Sequence, residues 1–214
     1  MGEVIAQLSM SLDGYVTGPD PGREHPLGIG GERLHQWVYG LRSWRREQGI
    51  EGGASGPEDD LLAEWIKRPG AVVMGHGMYI AGEAPWGEAP PFHMPVYVVT
   101  HHPREPLVKA GGTVFHFVTE GPEHALALAR ETAGAKDVSL AGGADLVQQF
   151  IRAGRLDELL LHVVPVLTGG GGRRLFDNVG DTPIEWRRTQ VLDAPEATHI
   201  RLRASWSPLR ECRP

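Results

Sequence analysis

The sequence predicts an α/β domain in which helices cover both faces of a mixed, mostly parallel sheet. Three observations predict it. Short apolar runs of strand length alternate with stretches whose large side chains recur at helical spacing. Residues 158–167 (ELLLHVVPVL) are apolar almost throughout, the pattern of a mid-sheet strand covered on both faces. Ile200, Leu202, Ala204 and Trp206 alternate with His199, Arg201, Arg203 and Ser205, the period-two signature of a half-buried antiparallel strand.

Taken in order, residues 4–10 read as a strand running into the turn Ser11-Leu12-Asp13-Gly14, and 18–31 as a loop rich in Pro and Gly. Leu34, Trp37, Val38, Leu41 and Trp44 share one face of a single expected helix. After a flexible connection at 49–56, a second helix at 57–68 turns Leu61, Leu62, Trp65 and Ile66 inward and stops at Pro69-Gly70. Residues 71–75 form a compact strand, 77–81 a helical turn, and 82–95 a loop carrying Trp86 and Phe92. Strands follow at 95–100 and 113–118, a helix at 123–133, a strand at 137–141 and a helix at 145–153. Residues 184–192 are the expected hairpin partner of the last strand. No repeat or linker divides the chain, so residues 1–208 are expected to form one domain and 209–214 a tail.

Composition narrows the function classes. With 41% apolar and 22% charged residues, the 214-residue chain can bury a core, which excludes global disorder. Lys+Arg and Asp+Glu number 21 and 27, a net charge of −6, and no basic block can track a phosphate backbone; nucleic acid is not an expected partner. The lone Cys212 rules out a disulfide framework and a multi-cysteine zinc site and is compatible with a reducing cytoplasm, the expected location. No apolar run reaches the roughly 18 to 20 residues of a membrane span, and the N-terminus lacks a basic region followed by an apolar stretch.

Glycine is the unusual component: 29 residues, nearly twice the average of about 7%. Two of its clusters join a strand to a helix N-terminus, Val72-Val73-Met74-Gly75-His76-Gly77-Met78 and Val138-Ser139-Leu140-Ala141-Gly142-Gly143-Ala144. Such junctions leave amide N–H groups at the positive end of a helix dipole, free to receive a phosphate, and a diphosphate bridging two helix ends would use both. Tight turns are the competing reading. Neither cluster is the GxGxxG fingerprint of an ordinary dinucleotide-binding domain.

The ordered set SLDGYVTG (11–18), VVMGHGMY (72–79), PVYVVTHHPRE (95–105), LAGGADLVQQF (140–150) and DELLLHVVPVLTGGGGRRLF (157–176) resembles the dihydrofolate reductase-like superfamily. It resembles more closely stand-alone proteins similar to the C-terminal reductase domain of the bifunctional riboflavin-biosynthesis deaminase-reductase. The resemblance covers all but an insertion at about residues 19–58. It implies a three-layer sandwich around a sheet of about eight strands and a homodimer. It also implies a nicotinamide dinucleotide, usually NADPH, and hydride transfer to a pterin-like or riboflavin-precursor-like heterocycle, imine or carbonyl. A catalytically silent nucleotide- or pterin-binding module of the same fold is the alternative.

By position, the resemblance places Ala6 and Val16 beside the nicotinamide. It places Gly75, His76, Gly77, Met78, Gly142, Gly143, Ala144, Asp145 and Leu146 around the diphosphate, and Thr100, His101 and His102 near the adenosine ribose. It also implies a cis peptide between Gly142 and Gly143. His76 stands where relatives often carry an Arg that meets the 2′-phosphate of NADPH; Arg104, His101 and His102 are candidate substitutes, and NADH stays possible. Asp145 reads equally as a first-turn helix acid. For the buried carboxylate that dihydrofolate reductases place at the pterin, the candidates are Asp59 and Asp60, which also suit a helix N-terminus. Deaminase chemistry is excluded because the H-x-E and P-C-x-x-C zinc pattern is missing.

The chain has 10 histidines, but adjacent His101 and His102 would point to opposite faces of a strand, and no metal site is expected. Trp86 reads either as a lid over a planar ligand or as a loop anchor. Loops 19–33 and 82–94 are expected to line the substrate pocket, and residues 163–167 suit either a dimer edge or a buried strand.

Overall fold

A computed structural model describes residues 2–180 and 184–206; the expected tail and Cys212 lie outside these. The chain opens with β1 (Val4–Ser11), whose alternating side chains enter two different cores: Val4 and Ala6 on one face, Ile5 on the other. This alternation is what makes a strand a three-layer element. A 3₁₀ turn (Gly31–His35), α1 (Gln36–Tyr39), α2 (Arg42–Glu47) and α3 (Pro57–Lys67) follow, then β2 (Pro69–Gly75), α4 (His76–Trp86), β3 (Pro95–Val99) and a short β4 (Leu107–Val108). The remainder is β5 (Val114–Val118), α5 (Pro122–Ala133), β6 (Asp137–Gly142), α6 (Ala144–Arg152), β7 (Glu158–Val164), β8 (Glu185–Asp193) and β9 (Thr198–Ser205).

Nine strands form one sheet in the order β4-β5-β3-β2-β6-β1-β7-β9-β8. The run from β5 to β7 is parallel, and β9 and β8 close it as an antiparallel hairpin. The strand beyond the expected eight is β4, two residues added antiparallel at the edge. On one face, Ala125, Leu126 and Ala129 of α5 and Val147, Phe150 and Ile151 of α6 pack on Val73, Leu140, Leu159 and Leu161. On the other, α4 covers Val72, Met74 and Val96, while α3 packs Leu61 and Trp65 on Ile5 and Leu160.

The stripe from Leu34 to Trp44 is buried as expected, but not in one helix. Leu41 is extended (φ −78°, ψ 140°) because Ala54 pairs with the chain there, its N–H donating to the Gly40 carbonyl and its carbonyl accepting from Arg42, both at 2.8 Å. Apolar spacing survives the break, so periodicity alone could not detect it. The expected loop at 82–95 is also corrected: α4 continues through Pro85 to Trp86. Gly82 makes this possible, since a Cβ there would sit 2.2 Å from the Trp86 ring. Trp86 stacks against Phe115 and meets Phe92 edge-on, which makes it an anchor and not a lid. β7 lies inside the sheet between β1 and β9 and holds Val163 and Val164, while residues 165–167 lie beyond it with Leu167 exposed.

At the N-terminal ends of the parallel strands lies an ion network. Arg68 reaches Glu158 at 2.7 Å and Asp137 at 2.8 Å, Arg201 also binds Glu158, and Arg203 pairs with Glu3 at 2.6 Å. Burial alone would raise the Glu158 carboxyl, but hydrogen bonds from Arg201 and Arg68 outweigh it and hold the group below the usual carboxylate range. A lowered folded-state value stabilises the protein above the unfolded pKa, and that stabilisation is lost as the pH falls through the folded value. Glu158→Gln, which removes the buried anion shared by two guanidinium groups and leaves Arg68 with Asp137 and Arg201 with Glu64, is expected to cost roughly 1–3 kcal/mol in denaturant unfolding. The difference from wild type should be full above about pH 5 and shrink in acid.

Candidate active site

The register of β2 against β6 sets Met74 opposite Gly142, so both strands end at the same level. Each passes directly into a helix. A Cβ built on Gly75 would lie 3.6 Å from the Gly143 nitrogen and 3.7 Å from Leu146 Cβ; the two bends predicted from sequence are neighbours in space. The Gly142-Gly143 peptide is cis. Helices α4, α5 and α6 begin after Gly75, Gly121 and Gly143, and no side chain caps any of them. Three positive dipole ends thus carry no side-chain cap, although Pro122 has no N–H and the Leu146 N–H already donates to the Gly143 carbonyl at 3.1 Å.

These ends line a cavity of about 560 Å³ above the C-terminal ends of the parallel strands. Gly75, His76, Gly77, Met78, Thr100, His101, His102, Gly143, Ala144, Asp145 and Leu146 all border it. A Cβ built on Gly77 or Gly143 meets nothing within 4 Å, so the backbone there is bare toward the cavity. A second cavity, about 260 Å³, adjoins it and shares Thr17, Pro26, Met78, Gly143 and Ala144. Val16 and Gly142 border this smaller chamber. Together they form one cleft with a long polar arm and a compact, mostly apolar end.

Two segments distant in sequence are zipped together at the mouth. Val16 N–H donates to the Arg173 carbonyl at 2.8 Å, and Arg173 N–H donates to Thr17 Oγ1 at 2.9 Å. Asp13 anchors the zip, accepting from Ser11 Oγ at 2.6 Å and from the Thr168 and Gly169 N–H groups at 3.2 and 3.1 Å. The Ser11 hydroxyl, followed by these backbone donors, lowers the Asp13 carboxyl to about 2. The Asp of the SLDG motif therefore holds loop geometry, and it brings Thr17 and Arg173 to the cleft.

His76 Nδ1 lies 2.7 Å from Thr100 Oγ1, which also accepts from the His102 N–H at 3.0 Å. Burial, then the neighbouring His102 and His101, push His76 below the ordinary histidine range, so it is neutral at neutral pH. The permanent cation at this arm is Arg173, which the sequence reading missed. Arg104, expected as a substitute, does not border the cavity; it binds Glu83 at 3.1 Å and the Tyr79 hydroxyl at 2.8 Å.

Three further expected groups do not border the cavities. Ala6 is fully buried in the core beneath α5 and α6; Gln7, Leu8 and Ser9 after it border the small chamber. Asp59 and Asp60 border neither cavity. Asp59 is buried because its Oδ1 accepts the Ser43 N–H at 2.6 Å in the first turn of α2, and Asp60 is exposed on α3. Loop 82–94 contributes no lining residue; the expected loop 19–33 does, through Pro21, Pro26 and Leu27, joined by His35, Trp37, Val38 and Trp44 of the insertion. His162, His35 and Gln7 on the chamber wall were also missed, since single polar residues in apolar stretches carry no local signal.

This arrangement defines a class: three-layer α/β domains that gather helix N-termini around a cavity over the carboxyl ends of parallel strands. Residues 3–200 match the RibD C-terminal domain family, and the chain belongs to it. Solved structures share the fold at low identity. A Shewanella sp. PV-4 protein assigned to riboflavin biosynthesis is 16% identical with a TM-score of 0.65, over 95% of this chain and 99% of that one. A Thermotoga maritima diaminohydroxyphosphoribosylaminopyrimidine deaminase/5-amino-6-(5-phosphoribosylamino)uracil reductase is 12% identical with a TM-score of 0.59, over 95% of this chain. This chain spans 57% of that protein's length. The Saccharomyces cerevisiae riboflavin biosynthesis reductase Rib7 is 12% identical with a TM-score of 0.53, over 95% of this chain and 90% of its own. No protein of curated function matches the chain. Among the described residues, no helix is long and apolar enough to cross a membrane.

The placement of Asp59 yields a test. Asp59→Ala removes the acceptor at the α2 N-terminus and is expected to cost about 1–2 kcal/mol of stability. Affinity for a nicotinamide dinucleotide, followed by fluorescence titration, should stay at the wild-type value.

Proposed function

We propose that the chain is an NAD(P)H-dependent reductase that transfers hydride to a flat heterocycle, imine or carbonyl compound. The observation that carries this reading is the meeting of the α4 and α6 N-termini at adjacent strand ends, beside a chamber sized for one small molecule. The bare backbone at Gly77 and Gly143 fits the approach of a diphosphate, with the first-turn N–H groups of α4 and α6 as its donors. Arg173, His101 and His102 would meet a 2′-phosphate, which favours NADPH over NADH. Val16, Met78 and Ala144 border the small chamber, where a nicotinamide ring would lie beside the substrate. When bound, that ring supplies a hydride to an electron-poor carbon; the chain's own part is to hold the two partners in register and exclude water.

Among its described lining residues the small chamber has no Lys, Arg, Asp or Glu. The reacting part of the substrate is therefore uncharged, and any phosphate it carries lies toward the mouth. A panel of 5-amino-6-(5-phosphoribosylamino)uracil, dihydrofolate and small imines or carbonyls, followed by cofactor absorbance, tests the reading. NADPH near 100 times its Kd should raise Tm by roughly 5–10 °C, and one panel compound should drive its oxidation. Arg173→Ala should weaken NADPH about tenfold and leave NADH unchanged. Absence of thermal stabilisation by either cofactor would refute the proposal. Stabilisation without consumption of any panel compound would favour a silent binding module.

A further inference from the structure

A line of three side chains runs from the protein surface to the small chamber. β7 and β9 pair antiparallel with His162 directly opposite His199. Their Nδ1 atoms are 2.7 Å apart, and His199 Nε2 lies 2.8 Å from Oε1 of Glu58 in the first turn of α3. His162 and His199 are 3% and 1% exposed, whereas Glu58 keeps contact with solvent. The His162 ring borders the chamber and packs 4.3 Å from the Trp37 ring, whose indole N–H is held by Ser9 Oγ at 3.0 Å. With Nδ1 given to His199, the nitrogen left for the chamber is Nε2.

We propose that His162 is the proton donor of the reaction and that His199 and Glu58 position and charge it. This rests on the reductase reading above. Hydride addition to a C=N or C=O carbon moves the π electron pair onto the heteroatom, which then requires one proton. In the charged state His199 carries hydrogens on both nitrogens against the Glu58 carboxylate, and His162 is neutral with its hydrogen on Nε2. His162 releases the Nε2 proton to the heteroatom and takes the Nδ1 proton of His199; one proton leaves the pair, and His199 ends neutral, still donating to Glu58. When product departs, Nε2 regains a proton from water and the Nδ1 proton returns to His199.

The surroundings support this division. Burial first, then His199 and His35, hold His162 well below the ordinary histidine range, and the carboxylate partner of the pair, Glu58, stands 2.8 Å from His199 Nε2. His35, from the 3₁₀ turn, is the other titratable group facing His162. Burial lowers it to about 4 against the opposing pull of Glu32, so it is neutral and does not compete as a cation.

Four variants and two readouts test the relay: His162→Gln, His162→Asn, His199→Gln and Glu58→Gln, followed by kinetics and by NMR of isotopically labelled histidines. His162→Gln is expected to lower kcat about 100-fold while KM and NADPH affinity stay within about threefold. His162→Asn guards against a packing defect in the first variant. The wild-type rate should fall as the pH rises through the titration of the pair, and Glu58→Gln should move that fall to lower pH because the anion that favours the charged pair is gone. Histidine NMR should show one shared titration for His162 and His199, displaced to lower pH in Glu58→Gln and lost in His199→Gln. Folded, cofactor-binding His162 variants with the wild-type rate and pH profile would overturn the proposal. So would NMR showing independent titrations unmoved by Glu58→Gln. Should no panel compound be reduced by the wild type, the reductase reading fails, and the NMR result still decides whether the pair shares its proton.

Discussion

The parallel pairing of β2 with β6 is the constraint from which the site follows. With Met74 opposite Gly142, two strands end side by side and the next residues of each begin a helix. A one-residue slip would exchange the faces of Val72 and Val73, which belong to different cores. Burial of both faces therefore fixes the register, and the register fixes the separation of two helix N-termini. Gly142, at φ 103°, adopts a conformation that L side chains rarely take, and Gly77 and Gly143 leave N–H groups with no side chain in front of them.

Charge is segregated along the strand axis in a way that suits this site. The N-terminal ends of the strands carry the ion network of Glu3, Arg68, Asp137, Glu158, Arg201 and Arg203. The C-terminal ends carry helix dipoles, imidazoles and Arg173. Asp145 and Arg173 balance formally in the cleft lining, so the helix dipoles supply what positive character the cleft has. The small chamber is a separate construction. Pro26, Leu27, His35, Trp37, Val38 and Trp44 of its wall come from the insertion that breaks the family resemblance, and Leu8, Val16, Leu62, Met78 and Ala141 join them from the shared fold.

Much of the sheet was legible because each strand carries its own signal: the continuous apolar run of β7, the alternation of β9, and glycine at the ends of β2 and β6. The two strand–glycine–helix junctions were legible for the same reason, since strand, glycine and helix stand next to one another in sequence. What could not be read depends on contacts between distant segments. Ala54 breaks the helix at Leu41 from 13 residues away, and Asp59 is drawn to the Ser43 N–H from 16. Arg173 reaches the cleft only through its zip with Val16 and Thr17. His162 and His199 meet only because β7 and β9 pair in that register, 37 residues apart. In sequence each is one polar residue in a strand.

The chain thus joins a cavity bordered by bare helix N-termini to a smaller chamber walled by a few aromatic and polar side chains. The most direct measurement of this account is a crystal structure with NADPH bound. It predicts the diphosphate between the first turns of α4 and α6, touching the backbone at Gly77 and Gly143, and the nicotinamide ring at the border of the small chamber. A diphosphate seated elsewhere, or a nicotinamide pointing away from Met78 and His162, would contradict it.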